Sequence, residues 1–115
     1  MSQTWRRTIA AKRRNHALVF AALGDETRLA LVAKLAGGRP CSISRLTKGS
    51  KLTRQAISKH LRVLETAGMV HSAWSGRENL FELNPRPIEG IREYLDFVSE
   101  QWDQALSRLK SFVEM

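Results

Sequence analysis

The sequence predicts a mainly α chain carrying one small β-hairpin, and three observations lead there. Apolar residues recur at steps of three and four along most of the chain. Glycines and prolines cut it into short elements. One pair of β-prone runs, VHSAW and NLFEL, brackets a glycine-containing tip. A chain of 115 residues supports one compact domain, with an extension able to pack on a second copy. At 43% hydrophobic it can bury a modest core, and no apolar run approaches the length of a membrane span.

Taken in order, the opening MSQTWRRTIAAKRRNH holds Arg6, Arg7, Lys12, Arg13 and Arg14 and no acid. Its composition is like that of a transit peptide, but no apolar signal core or small-residue cleavage pattern follows. An ordered or partly ordered basic arm leading into a helix that ends near Leu23 is the expectation. Asp25 is placed to cap a second helix, with Leu29, Val32, Ala33 and Ala36 inward and Gly37 as its stop. Ser42 caps a short third helix containing Ile43 and Leu46, and Gly49 to Leu52 makes a tight turn. Thr53 caps a fourth helix that Gly68 ends. The hairpin follows, turning through Ser75-Gly76-Arg77-Glu78, and from about Pro87 the chain is helical again. The simplest architecture is a winged helix-turn-helix with long N- and C-terminal dimerisation helices. All of residues 1–115 form one domain: arm and helix over 1–23, the winged unit over 25–83, the closing helix over 87–115.

The fourth helix carries the chemistry. At about 100° per residue, Lys51, Arg54, Gln55, Ser58, Lys59 and Arg62 fall within roughly 140° of one another. Ala56, Ile57, His60, Leu61, Val63, Leu64 and Ala67 take the other side. Every outward residue is a hydrogen-bond donor, and no acid appears before Glu65. A solvated helix face usually mixes both signs in i,i+4 pairs. An acid-free donor arc instead fits phosphates and major-groove base edges, where Arg pairs with guanine and Gln with adenine. Thr53, Lys51 and the hairpin-tip Arg77 are placed for phosphate or minor-groove contact. His60, on the apolar side, is expected to be packed with one hydrogen bond; His16 and His71 lie on other elements at no metal-binding spacing. Cys41 is the sole cysteine, so no internal disulfide or thiolate-rich metal site can form, and it is expected to pack at the start of the third helix.

Charge is divided along the chain. Residues 1–87 carry a net +11 and residues 88–115 a net −3. A polyanion partner for the body and a separate task for the tail follow. In the tail, Ile88, Ile91, Leu95, Val98, Trp102, Ala105, Leu109 and Phe112 alternate steps of three and four without a break, the period of a helix–helix seam. Tyr94, Phe97, Leu106 and Val113 add a second stripe. A dimer interface along this seam is expected, with Trp5, Ile9, Val19 and Phe20 of the first helix as co-packers.

Together ALGDETRLALVAKL (Ala22–Leu35), SISRLT (Ser42–Thr47), LTRQAISKHLRVLETAGMV (Leu52–Val70) and the hairpin through Phe81 resemble the ArsR-type winged-helix transcriptional repressors of bacteria and archaea. The resemblance spans about half of the chain in the family's order. It implies a homodimer, joined through its first and last helices, that sits on an operator and blocks transcription. Many members leave DNA when a metal binds. Here the family's Cys-x-Cys ligand positions fall on Ser42 and Ser44, and no histidine follows His71, so the chain resembles the members that do not sense metals.

The expected function is therefore a sequence-specific DNA-binding regulator, a cytoplasmic homodimeric repressor on a palindromic double-stranded operator. It needs no cofactor and no metal, and its residues name no inducer. A non-specific nucleic-acid-binding architectural protein, held by charge alone, is the alternative. RNA stacking is disfavoured because the few aromatics fall mostly on faces predicted to be buried. A partner-binding module using the last helix is a third reading. No close carboxylate pair, phosphate-cradling glycine loop or nucleophile–base arrangement supports an enzyme.

Overall fold

The structure is a computed structural model that describes residues 3–114. Five helices and three strands follow one another: α1 (Gln3–Leu23), α2 (Glu26–Leu35), β1 (Cys41–Ser42), α3 (Ile43–Thr47), α4 (Arg54–Thr66), β2 (Val70–Ser75), β3 (Glu78–Leu83) and α5 (Pro85–Glu114). None of the described helices is long and apolar enough to cross a membrane.

Each short helix starts where a side chain accepts from an otherwise unpaired N–H. Asp25 accepts from Arg28 N, Ser42 from Arg45 N and Thr53 from Ala56 N. The end of α4 is closed by a Schellman pair: Met69 N donates to Leu64 O and Gly68 N to Glu65 O. Gly68 has φ +77 there, which a side-chain-bearing residue rarely adopts. Asn84 then clamps this corner to the last helix. Its Nδ2 donates to Gly68 O, its N–H to Met69 O, and its Oδ1 accepts from Arg86 N. With that cap, α5 begins at Pro85, two residues before the sequence-based boundary.

The sheet has one strand more than the hairpin predicts. Cys41 and Ser42 pair with Phe81 and Leu80, giving the antiparallel order β1-β3-β2. Two residues between two helix caps carry no periodic signal, so β1 is defined only by its partner. The hairpin also closes more tightly than expected, since Ser75 pairs with Glu78 and leaves only Gly76 and Arg77 at the tip.

All eight elements contribute to one core. Val19, Ala22, Leu31, Leu35, Cys41, Leu46, Ile57, Leu61, Leu64, Met69, Val70, Phe81 and Ile91 are buried. The expected inward face of α2 is wrong in part. Leu29 is 52% exposed and Ala33 and Ala36 are exposed, while Leu31 and Leu35 point inward and Val32 packs beside them. In LALVA every residue is apolar, so helical period cannot choose a face; contact with α1, α4 and β3 does. Val63, also expected inward, is 41% exposed and lines a shallow groove with Leu18 and Ala21 of α1.

The closing helix runs past the domain. Its 30 residues span about 45 Å. Ile88 and Ile91 pack into the chain's own core, and Tyr94 meets His16 and Phe20 of α1. Beyond them Leu95, Val98, Trp102, Leu109 and Phe112 are exposed, and Ala105 is half-buried. On one unbroken helix Tyr94, Leu106 and Val113 fall with the seam residues in a single arc of roughly 120°, so the two expected stripes are one band, with Phe97 outside it. Of the expected co-packers on α1, Val19 and Phe20 serve the chain's own core and Ile9 is 37% exposed; the Trp5 side chain lies outside the described residues. The radius of gyration is 19.0 Å, against ~13 Å for a compact domain of this length.

The corrected face of α2 is directly testable. Leu35→Ala should destabilise the protein by about 2–5 kcal/mol, and Leu29→Ala by less than about 0.5 kcal/mol, as measured by urea denaturation.

Candidate nucleic-acid interface

Three fully buried residues set the direction of α4. Ile57, Leu61 and Leu64 are at most 1% exposed and occupy one side of the helix at steps of four and three. The opposite side must then face water. Arg54, Gln55, Lys59 and Arg62 are exposed, and Ser58 is half-buried among them. Together with Ile43 of α3 these five line one groove, and no lining residue is acidic. Lys51 is exposed in the turn ahead of the helix, and Thr53 holds its first turn through Oγ1 to Ala56 N at 3.1 Å. Seven of the eight sequence-predicted contact residues therefore lie on or immediately ahead of one helix face. The eighth, Arg77, is exposed at the hairpin tip and lies outside the groove. Ile43, named from sequence only as part of the third helix, both packs against the core and forms one wall of the groove.

His60 ties this helix to the corner between α1 and α2. Its Nδ1 lies 3.2 Å from Arg28 Nη1 and 3.7 Å from Asp25 Oδ2. Arg28 Nε donates to Ala22 O at 2.6 Å. One guanidinium thus joins the end of the first helix to the middle of the groove-bearing helix. The expected single hydrogen bond is present, and its donor comes from 32 residues away. Asp25 completes the cluster. The Arg28 N–H bonded to its carboxylate holds the carboxyl below its ordinary 3.8 against the upward push of desolvation, and the charge of Arg28 acts the same way as the N–H.

The hairpin is two-faced. Cross-strand pairs share a side, so Val70/Leu83, Ser72/Phe81 and Trp74/Asn79 form one face. His71/Glu82, Ala73/Leu80 and Ser75/Glu78 form the other, with His71 Nε2 3.9 Å from Glu82 Oε1. Val70 and Phe81 are buried, whereas Trp74, farther out on the same face, is 72% exposed. Trp74 is the aromatic that leaves the expected pattern; Trp102 and Phe112, open in the protomer, lie on the expected dimer seam. Alternation along VHSAW puts Trp74 in line with Val70, but how far the sheet outruns the body is a tertiary fact.

Ser42 and Ser44, which the resemblance alone sets at thiolate positions, have separate fates. The Ser42 hydroxyl accepts from Arg45 N at 3.2 Å, and Ser44 is exposed. Cys41 is buried in β1, with Sγ 3.5 Å from Arg39 O.

Comparison with known proteins agrees with this geometry. Residues 23–73 match a helix-turn-helix domain family. The chain is 33% identical over 93 residues to the HTH-type transcriptional regulator Rv2034 of Mycobacterium tuberculosis, covering 81% of this chain and 83% of the relative. An ArsR-like transcriptional regulator from Rhodococcus sp. RHA1 superposes with a TM-score of 0.79 at 33% identity, covering 91% of this chain and 95% of the other. The homodimeric winged helix-turn-helix DNA-binding domain of Mb0332 from Mycobacterium bovis shares the fold, with a TM-score of 0.66 at 18% identity over 91% of this chain and 93% of that one.

The Asp25 cluster predicts a pH effect with a definite sign. Its carboxyl is more acidic folded than unfolded, so the stability it contributes is present above pH 3.8 and is lost as pH falls through the lower folded value. Asp25→Asn keeps a competent cap and should flatten that acid limb in denaturation curves collected from pH 6 down to about 2.5. Thr53→Ala should cost about 1 kcal/mol by removing the acceptor for Ala56 N.

Proposed function

Since the chain belongs to the ArsR family of winged helix-turn-helix transcriptional regulators, we propose that it is a homodimeric repressor reading a palindromic operator in the cytoplasm. The observation that carries this reading is the acid-free groove on α4. Arg54 and Gln55, at the helix N-terminus, are the base-reading pair. Ser58, Lys59 and Arg62 extend along the groove wall, and Lys51, Thr53 and Arg77 engage phosphates or the minor groove.

The dimer reading rests on α5. An apolar band on a helix that leaves its own domain exposes Trp102, Leu109 and Phe112 at 58–75%. A band that broad on a monomer is costly in water. A second copy packed along Leu95, Val98, Trp102, Ala105, Leu109 and Phe112 covers it, and Ile88 and Ile91 anchor the same helix to the body. The homodimeric state of the mycobacterial domain of the same fold supports this arrangement. A two-fold axis then presents two reading helices to half-sites one turn, about 34–36 Å, apart. For the trigger, the residues support something other than a metal at Ser42 and Ser44, because a hydroxyl engaged in capping replaces one thiolate and an exposed hydroxyl the other.

Selection of bound duplexes from a random pool is expected to return a palindrome; equal retention of all duplexes would reverse the specific reading in favour of a charge-held architectural protein. On the selected site, Arg54→Ala or Gln55→Ala should lose about 1–3 kcal/mol in a base-dependent way, whereas Lys59→Ala should weaken all sequences alike and lower the salt slope by about 1. Leu109→Glu, at a site exposed in the protomer, should leave the protomer folded, give a monomer in sedimentation velocity, and lose operator affinity along with it.

A further inference from the structure

We propose that Trp74 is a DNA-contacting residue of the wing, an apolar wedge that seats the acid-free face of the hairpin against the minor groove flanking each half-site. The inference rests on the DNA-reading assignment of α4 and adds to it a contact of a different physical kind.

Position comes first. Trp74 follows the buried Val70 by four residues in β2, about 13 Å along the strand, on the side that forms the core farther back. The sheet has outrun the body by then, and the indole is 72% exposed. Its cross-strand neighbour Asn79 has a covered Oδ1 with no hydrogen-bond partner, so no polar contact at that atom locks the pair in place.

Charge then selects the face. Both acids of the hairpin, Glu78 and Glu82, sit on the side away from Trp74. The Trp74 side offers an indole, the Ser72 hydroxyl and the Asn79 carboxamide, with Arg77 at the tip. A hairpin approaching a polyanion turns its carboxylates outward and this face inward. A minor groove next to an occupied major groove is where an acid-free hairpin tip with an apolar side chain can be received. A·T pairs there lack the protruding guanine amino group, so an apolar ring can approach their floor closely. Aromatic side chains supply large contact area with few rotatable bonds, which suits an anchor at the end of a narrow hairpin.

The test uses the duplex recovered from random-pool selection with the unmodified protein, together with variants of the flanking base pairs. The Trp74 indole is followed as the difference in emission between the wild-type protein and Trp74→Phe, each with Trp5 and Trp102 intact. Acrylamide should quench it readily in the free protein and several times less on the duplex. Trp74→Ala should weaken binding roughly tenfold with the salt slope unchanged, because an apolar contact releases no counterion. It should also relax the preference for A·T pairs at the flanks. Arg77→Ala should instead lower the salt slope by about 1. Unchanged quenching on a duplex that binds tightly would overturn the inference and leave the α4 reading intact. Protection that appears without DNA and rises with protein concentration would assign the indole to a contact between copies and overturn it as well. Recovery of no selected duplex would remove both.

Discussion

Ile57, Leu61 and Leu64 hold α4 against the core almost without exposure, and the outward direction of each polar side chain on that helix follows from this. A helix has one rotation about its axis, so anchoring one side assigns the other. Caps fix the two ends: Thr53 defines the first turn, and the Gly68–Met69 pair closes the last and returns the chain to the sheet. Arg28 adds a lateral tie, from Ala22 O across to His60. The basic groove therefore stands on a helix held at its base, its ends and its side. Precise placement of that kind is what base-edge contacts require.

The sheet sits at the other border of the same core. Phe81 is shared by β1 on one side and β2 on the other, so the two-residue β1 braces the hairpin where it leaves the body. Past that brace, alternation continues without the core beneath it. A face that buries Val70 and Phe81 near the body exposes Trp74 at the end, and the acids stay on the reverse side. One rule of strand geometry thus produces both the packing and the asymmetry of the wing.

In α5 the same helix meets two environments. Its first turns complete the core with Ile91 and set Tyr94 tilted against His16 and edge-on to Phe20. The remainder carries an apolar band into solvent, with Glu93, Asp96, Glu100 and Asp103 on the opposite side. The elongated dimensions, 67 × 38 × 21 Å, reflect that overhang. The winged unit is complete within one chain, whereas the last helix leaves its apolar band uncovered.

Local chemistry made much of this legible from residues alone. Capping oxygens at Asp25, Ser42 and Thr53, the glycine after α4, and the cleanly split face of TRQAISKHLRVL each act within a few residues, and each appears where the sequence puts it. Sequence by itself determined the order of the five helices and the hairpin, the inward and outward sides of α4 apart from Val63, and the family. Tertiary structure alone decided the face of α2, where LALVA is apolar all round; the existence of β1, whose two residues gain meaning only from Phe81 and Leu80; and the exposure of Trp74. It also supplied Arg28 as the partner of His60 across 32 residues. The physical reason is range. Caps and helical period are short-range forces written in adjacent residues, whereas burial and strand pairing depend on which distant surface arrives opposite.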